Sequence, residues 1–150
     1  MSWFPELVGW FAALDACIAS KQNGDILLIG IDGNSSCGNN KTQKAVKLKG
    51  ATSPCGNFGI EYINNAGKRM YNYLATNEMC LVSTFFKKRS YGTWHNNFSK
   101  KMHQLDHFIC EANELKRMSD GGATNPITDT DHNAVFCSMR IAHKLEKRRP

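Results

Sequence analysis

Apolar residues Leu7, Val8, Phe11, Leu14, Cys17 and Ile18 recur at spacings of three and four, which gathers them on one face of a helix. Pro5 suits the first turn of that helix and Gly24 suits its end. The pattern then changes. Residues 25–32 form a short, continuous apolar run closed by Asp25 and Asp32, which predicts a strand covered on both faces. A helix followed by a buried strand points to an α/β fold.

No period of 2 or 3.6 survives from Gly33 to Gly59, a stretch rich in Gly, Ser, Asn and Lys that reads as a long loop. Loops of that length usually frame a site or form an insertion, and Lys41, Lys44, Lys47 and Lys49 make this one basic. A second amphipathic helix is predicted over Ala66 to Asn77, with Met70, Tyr73 and Leu74 opposite Lys68 and Arg69. Met79 to Thr84 reads as a strand, and Phe85 to Arg89 as its apolar end running into a basic turn. A short strand at Tyr91 to His95 should pair, across a turn at Asn96 to Lys101, with Gln104 to Cys110. The last strand is expected from Ala134 to Ile141.

One hundred and fifty residues, 41% hydrophobic and 21% charged, make one ordinary domain and exclude a disordered chain. A domain of this size buries about 68–70% of its unfolded surface, so it needs no disulfide or metal to fold. Cys17, Cys37, Cys55, Cys80, Cys110 and Cys137 are scattered without a Cys-x-x-Cys pair, which argues against structural zinc and for a reducing, intracellular compartment. The apolar stretch near the start is far shorter than the roughly 18 residues a membrane span needs. Nineteen Lys and Arg against thirteen Asp and Glu give a formal charge of +6, which favours polyanions such as nucleic acid only through long-range attraction. Much of the excess lies at 143–150, read as a basic tail behind a domain spanning 1–142.

Ionisable residues sit directly against apolar strands at three places. They are Asp32 with Asn34, Asp106 with His107, and Asp131 with His132. A carboxylate beside a core strand costs several kcal/mol unless it is paired, hydrogen-bonded or on a metal. Each place taken alone fits a turn cap, but three in one small domain suggest convergence.

The ordered blocks Ile31-Asp32-Gly33-Asn34, Asn64 to Met70, Ser83 to Phe86, Gly92-Thr93-Trp94, Gln104 to Ile109 and Thr130-Asp131-His132 resemble the endonuclease/exonuclease/phosphatase family. The endonuclease domains of non-LTR retrotransposons and the craniofacial-development-protein-like relatives are the nearest in flavour. The resemblance implies one sheet-plus-helices half of a four-layer α/β sandwich. It also implies that Asp32 orients and activates the attacking water and that Asn34 hydrogen-bonds the scissile phosphate. Asp131 would hold a divalent metal, Mg²⁺, while His132 contacts phosphate and Asp106 orients and charge-stabilises His132. Two positions depart from the family pattern, with Ile31 in place of glycine and Thr130 in place of serine.

The family's first strands and their metal-binding Glu have no counterpart here, since Glu6 lies at the start of a helix. The resemblance therefore implies a truncated, catalytically impaired domain that serves as a structural or interaction subunit. The alternative is a Mg-dependent DNA endonuclease whose site another chain completes; a phosphatase acting on a small ligand is a third reading. A sheet face left bare predicts a protein partner or self-association. Trp94 reads as core or as a stacking surface, and strand alternation turns His107 away from the site. The Lys87, Lys88, Arg89 turn reads as solvated or phosphate-touching, and His95 and His103 flank the hairpin.

Overall fold

A computed structural model describes residues 4–43, 53–125 and 130–141. Helix α1 (Phe4–Ser20) and helix α2 (Asn65–Thr76) form where the apolar periodicity places them. They pack together through the Phe11 ring stacked on Tyr73 at 4.6 Å and through the Tyr73 hydroxyl, which donates to Asp15 Oδ1 at 2.6 Å. An ion pair from Lys21 to Glu111 ties the end of α1 to the sheet.

The central sheet has three antiparallel strands: β1 (Leu28–Asp32), β2 (Met79–Leu81) and β5 (Asp106–Glu111), in the order β1-β5-β2. Ile29, Leu81 and Ile109 join Met70, Tyr71, Leu74 and Met79 in the main core beneath the two helices. Strand alternation sends Leu28, Gly30 and Asp32 to the opposite face, beside Cys110, Phe108 and Asp106. On that face Leu28 is 39% exposed, so β1 is an edge strand covered on one side, in contrast to the fully buried strand its apolar run predicts. Apolar run length alone cannot distinguish the two cases.

A second, smaller core of Cys80, Val82, Cys110 and Met118 lies across the sheet, with Phe85, Phe86, Phe108 and Met139 partly buried against it. It is roofed by the hairpin of β6 (Met118–Ala123) and β7 (Val135–Met139). β6 escapes sequence reading because Met-Ser-Asp-Gly-Gly-Ala carries no alternation. The segment expected to continue β2 as strand instead turns into a 3-10 helix (Val82–Phe85), in which Thr84 Oγ1 donates to the Leu81 carbonyl at 2.7 Å.

The predicted hairpin is present but shorter. β3 (Trp94–His95) pairs with β4 (Met102–His103), not with Gln104 to Cys110. Gln104 leaves the ladder to accept from Ile60 N and donate to Ser83 Oγ, after which β5 joins the other sheet. The long loop is built on buried polar residues: Asn39 is 2% exposed and Gln43 donates to the Cys37 carbonyl at 2.8 Å. Lys44, Lys47 and Lys49, and the basic tail at 143–150 with its boundary at 142, lie outside the described residues.

Candidate functional site

The register of β1 on β5 sets Asp32 directly opposite Asp106, at the same end and on the same face of the sheet. Asp106 is held there by Thr93, whose buried hydroxyl accepts from both Leu105 N (2.8 Å) and Asp106 N (3.0 Å). His132 arrives from the segment before β7 by a bridge to Trp94. Asn133 holds that approach, donating from N to the Thr93 carbonyl and from Nδ2 to the Gly92 carbonyl.

These placements bring Asp32, Asp106 and His132 together, each offering a ligand atom within 4.8 Å of the others. His132 Nδ1 lies 3.0 Å from Asp106 Oδ2, and the Asp106 side chain is 13% exposed. A proton on Nδ1, donated to that carboxylate, leaves Nε2 as the bare acceptor. Two carboxylates and an imidazole at one rim suit a hard divalent cation through the oxygens, with the imidazole left for proton or phosphate contact.

Asn34 lies beside the group, exposed, with φ at +45°, and its N–H donates to Asp32 Oδ1 at 3.1 Å. Asp131, expected as the metal ligand, stands outside the three-residue group. Its Oδ2 accepts from Trp94 Nε1 at 2.8 Å. Trp94 is half-buried, its indole N–H donates to Asp131, and its ring lies tilted 5.6 Å from His103. His107 points to the helix side of β5, where it is 1% exposed and its Nε2 contacts the Ser35 carbonyl at 2.8 Å. Burial holds its pKa below the ordinary value, against the opposing pull of that carbonyl and of Asp106 and Asp32.

Sequence reasoning missed Thr93, Asn133 and Asn64 as supports of the site. Asn64 carried a readable signal, an Asn immediately before a helix, and Thr93 stood in the Gly92-Thr93-Trp94 block, while Asn133 carried none. Lys88 of the basic turn is engaged with Asp120 and lies over the Phe136 ring.

A three-stranded sheet backed by two helices, with an acidic and imidazole cluster at one strand end, makes this a mixed α/β domain. In structure it is similar to the 3'-5' exonuclease (NExo) from Neisseria meningitidis, with a TM-score of 0.60 and 16% identity over 91% of this chain and 54% of that one. In sequence it is 26% identical over 125 residues to craniofacial development protein 2 of Tragulus javanicus and of Bos taurus. That match covers 81% of this chain but only 20% and 19% of the two relatives. The chain thus spans about a fifth of the curated relatives and about half of the exonuclease. No protein-family model matches it. The fold shared with that exonuclease and the sequence likeness to those relatives agree with the resemblance read from the ordered sequence blocks.

Proposed function

We propose that the chain presents one half of a metal-dependent phosphodiesterase site acting on DNA, completed by further groups from another chain. The observation that carries this reading is the convergence of Asp32, Asp106 and His132 within 4.8 Å, from three separate segments. Asp32 and Asp106 are the carboxylates that would hold a divalent cation directly; Asp131, held by Trp94 outside that group, would add its charge at longer range. Such an ion supplies positive charge at the phosphoryl oxygens and lowers the pKa of bound water. Asn34 offers its exposed carboxamide to a phosphoryl oxygen, and His132 offers a proton acceptor oriented by Asp106.

The open edge of β1 favours a second reading for the chain alone, as an interaction subunit with impaired catalysis. Leu28, on the edge strand, is exposed, and Phe86, Phe108 and Phe136 are only partly buried. Apolar surface of this kind is what a protein partner or a second copy covers. Mg²⁺-dependent nicking of supercoiled DNA by the full chain, beside His132→Ala and Asp131→Ala, decides between them. Nicking lost in both variants supports the hydrolytic reading. No nicking, with association in sedimentation, leaves the interaction role.

A further inference from the structure

We propose that Asn64 is a positioning residue that fixes the orientation of Asn34, over and above its role as a helix cap; this rests on the phosphodiesterase reading. Its side chain makes three bonds at once. Oδ1 accepts from Gly67 N (2.7 Å), capping α2, and from Ser36 N (3.2 Å), while Nδ2 donates to the Asn34 carbonyl (3.1 Å). Asn34 needs such a clamp, because its φ of +45° lies in the left-handed region that a residue with a Cβ adopts at a cost. The Asp32 carboxylate grips the Asn34 N–H from one side and Asn64 grips its carbonyl from the other.

The rest of the loop is fastened to the same support. Ser36 O sits so close to Gly67 that an added Cβ would come within 1.8 Å of it, and Asn64 N donates to that oxygen at 3.1 Å. The first turn of α2 thereby becomes the reference against which residues 34–36 are set. Only the Nδ2 bond reaches Asn34, and it is dispensable for capping.

Asn64→Asp separates the two roles, since aspartate caps as well as asparagine but places an acceptor against the Asn34 carbonyl. Asn65→Asp adds the same charge at an exposed neighbour and serves as the control. In the full chain, Asn64→Asp should retain the wild-type melting temperature, lower kcat for Mg²⁺-dependent nicking about tenfold with little change in KM, and speed hydrogen exchange at the Asn34 amide. Asn65→Asp should stay within about twofold of wild type on all counts. Equal behaviour of the two variants overturns the assignment. If the wild-type chain does not nick DNA, the phosphodiesterase reading fails by itself. Asn34 amide exchange then decides, with faster exchange in Asn64→Asp supporting the clamp and unchanged exchange refuting it.

Discussion

His132 Nδ1 and Asp106 Oδ2 stand 3.0 Å apart, although one residue precedes β7 and the other opens β5. The contact gives the imidazole a defined tautomer, with a proton on the nitrogen facing the carboxylate. Asp106→Asn removes the charge while keeping the shape. It should reduce any Mg²⁺-dependent nicking by about 100-fold. In parallel, the imidazole nitrogen shifts of His132 should change from one tautomer towards a mixture, read by nitrogen NMR; unchanged shifts would show that the contact does not govern the ring.

The bond from Trp94 Nε1 to Asp131 lies at the surface, so its loss should cost stability little. Trp94→Phe is expected to change unfolding free energy by under about 1 kcal/mol. Divalent-cation affinity, followed by Mn²⁺ relaxation, should fall by more than that figure implies if Asp131 must be held in place. An unaltered Mn²⁺ titration would exclude Asp131 from cation binding.

Gly67 packs its bare Cα against Ser36, where a Cβ would meet the backbone oxygen at 1.8 Å. A backbone atom cannot rotate away as a side chain can. Gly67→Ala should destabilise the fold by about 2 kcal/mol, a clash of about 3 offset by the better helix propensity of alanine. Urea denaturation reads the difference directly.

Burial pushes the Cys37 and Cys110 thiols up to about 12 and the Cys80 thiol up to about 11, from 9.0. In the unfolded chain these thiols ionise near 9, while in the folded chain they stay protonated. Their contribution is thus fully present below pH 9 and is lost as pH rises towards 11 to 12. The urea midpoint should fall between about pH 7 and about pH 10 in reducing buffer, and less so in Cys110→Ala measured against its own neutral value. In native protein near neutral pH, a thiol-alkylating reagent should modify exposed Cys17 first.

Phe98 projects fully into solvent from the turn between β3 and β4, beside exposed Lys100 and Lys101. An aromatic ring among cations offers a base-stacking contact. Phe98→Ala should weaken DNA binding severalfold in a fluorescence titration while leaving the melting temperature in place. Equal affinity would remove the hairpin from the DNA-binding surface.

Much of this molecule is legible in order and little of it in contact. Met70, Tyr73 and Leu74 announce α2 because helical periodicity is a local property of the chain. Leu28 misleads, since an apolar residue on an exposed edge looks the same in sequence as one in a covered strand. β6 is silent, because its two glycines carry no alternation and only pairing with β7 makes it a strand. Val82 to Thr84 reads as strand until the Thr84 hydroxyl bonds back to Leu81 and tightens the turn.

The site divides in the same way. Asp32, Asn34, Asp106, Asp131 and His132 stand out in the sequence because ionisable groups beside apolar strands need a reason to be there. Their partners do not. That Asp32 faces Asp106, that His132 leans on Asp106, and that Asp131 turns to Trp94 depend on strand register and on a bridge between distant segments. Sequence alone determined the helices, the α/β class and the candidate residues, since these follow from local spacing and residue chemistry. Tertiary structure decided which carboxylate meets the imidazole and which side chains each core takes, because a shift of one residue in register would send each side chain to the other face.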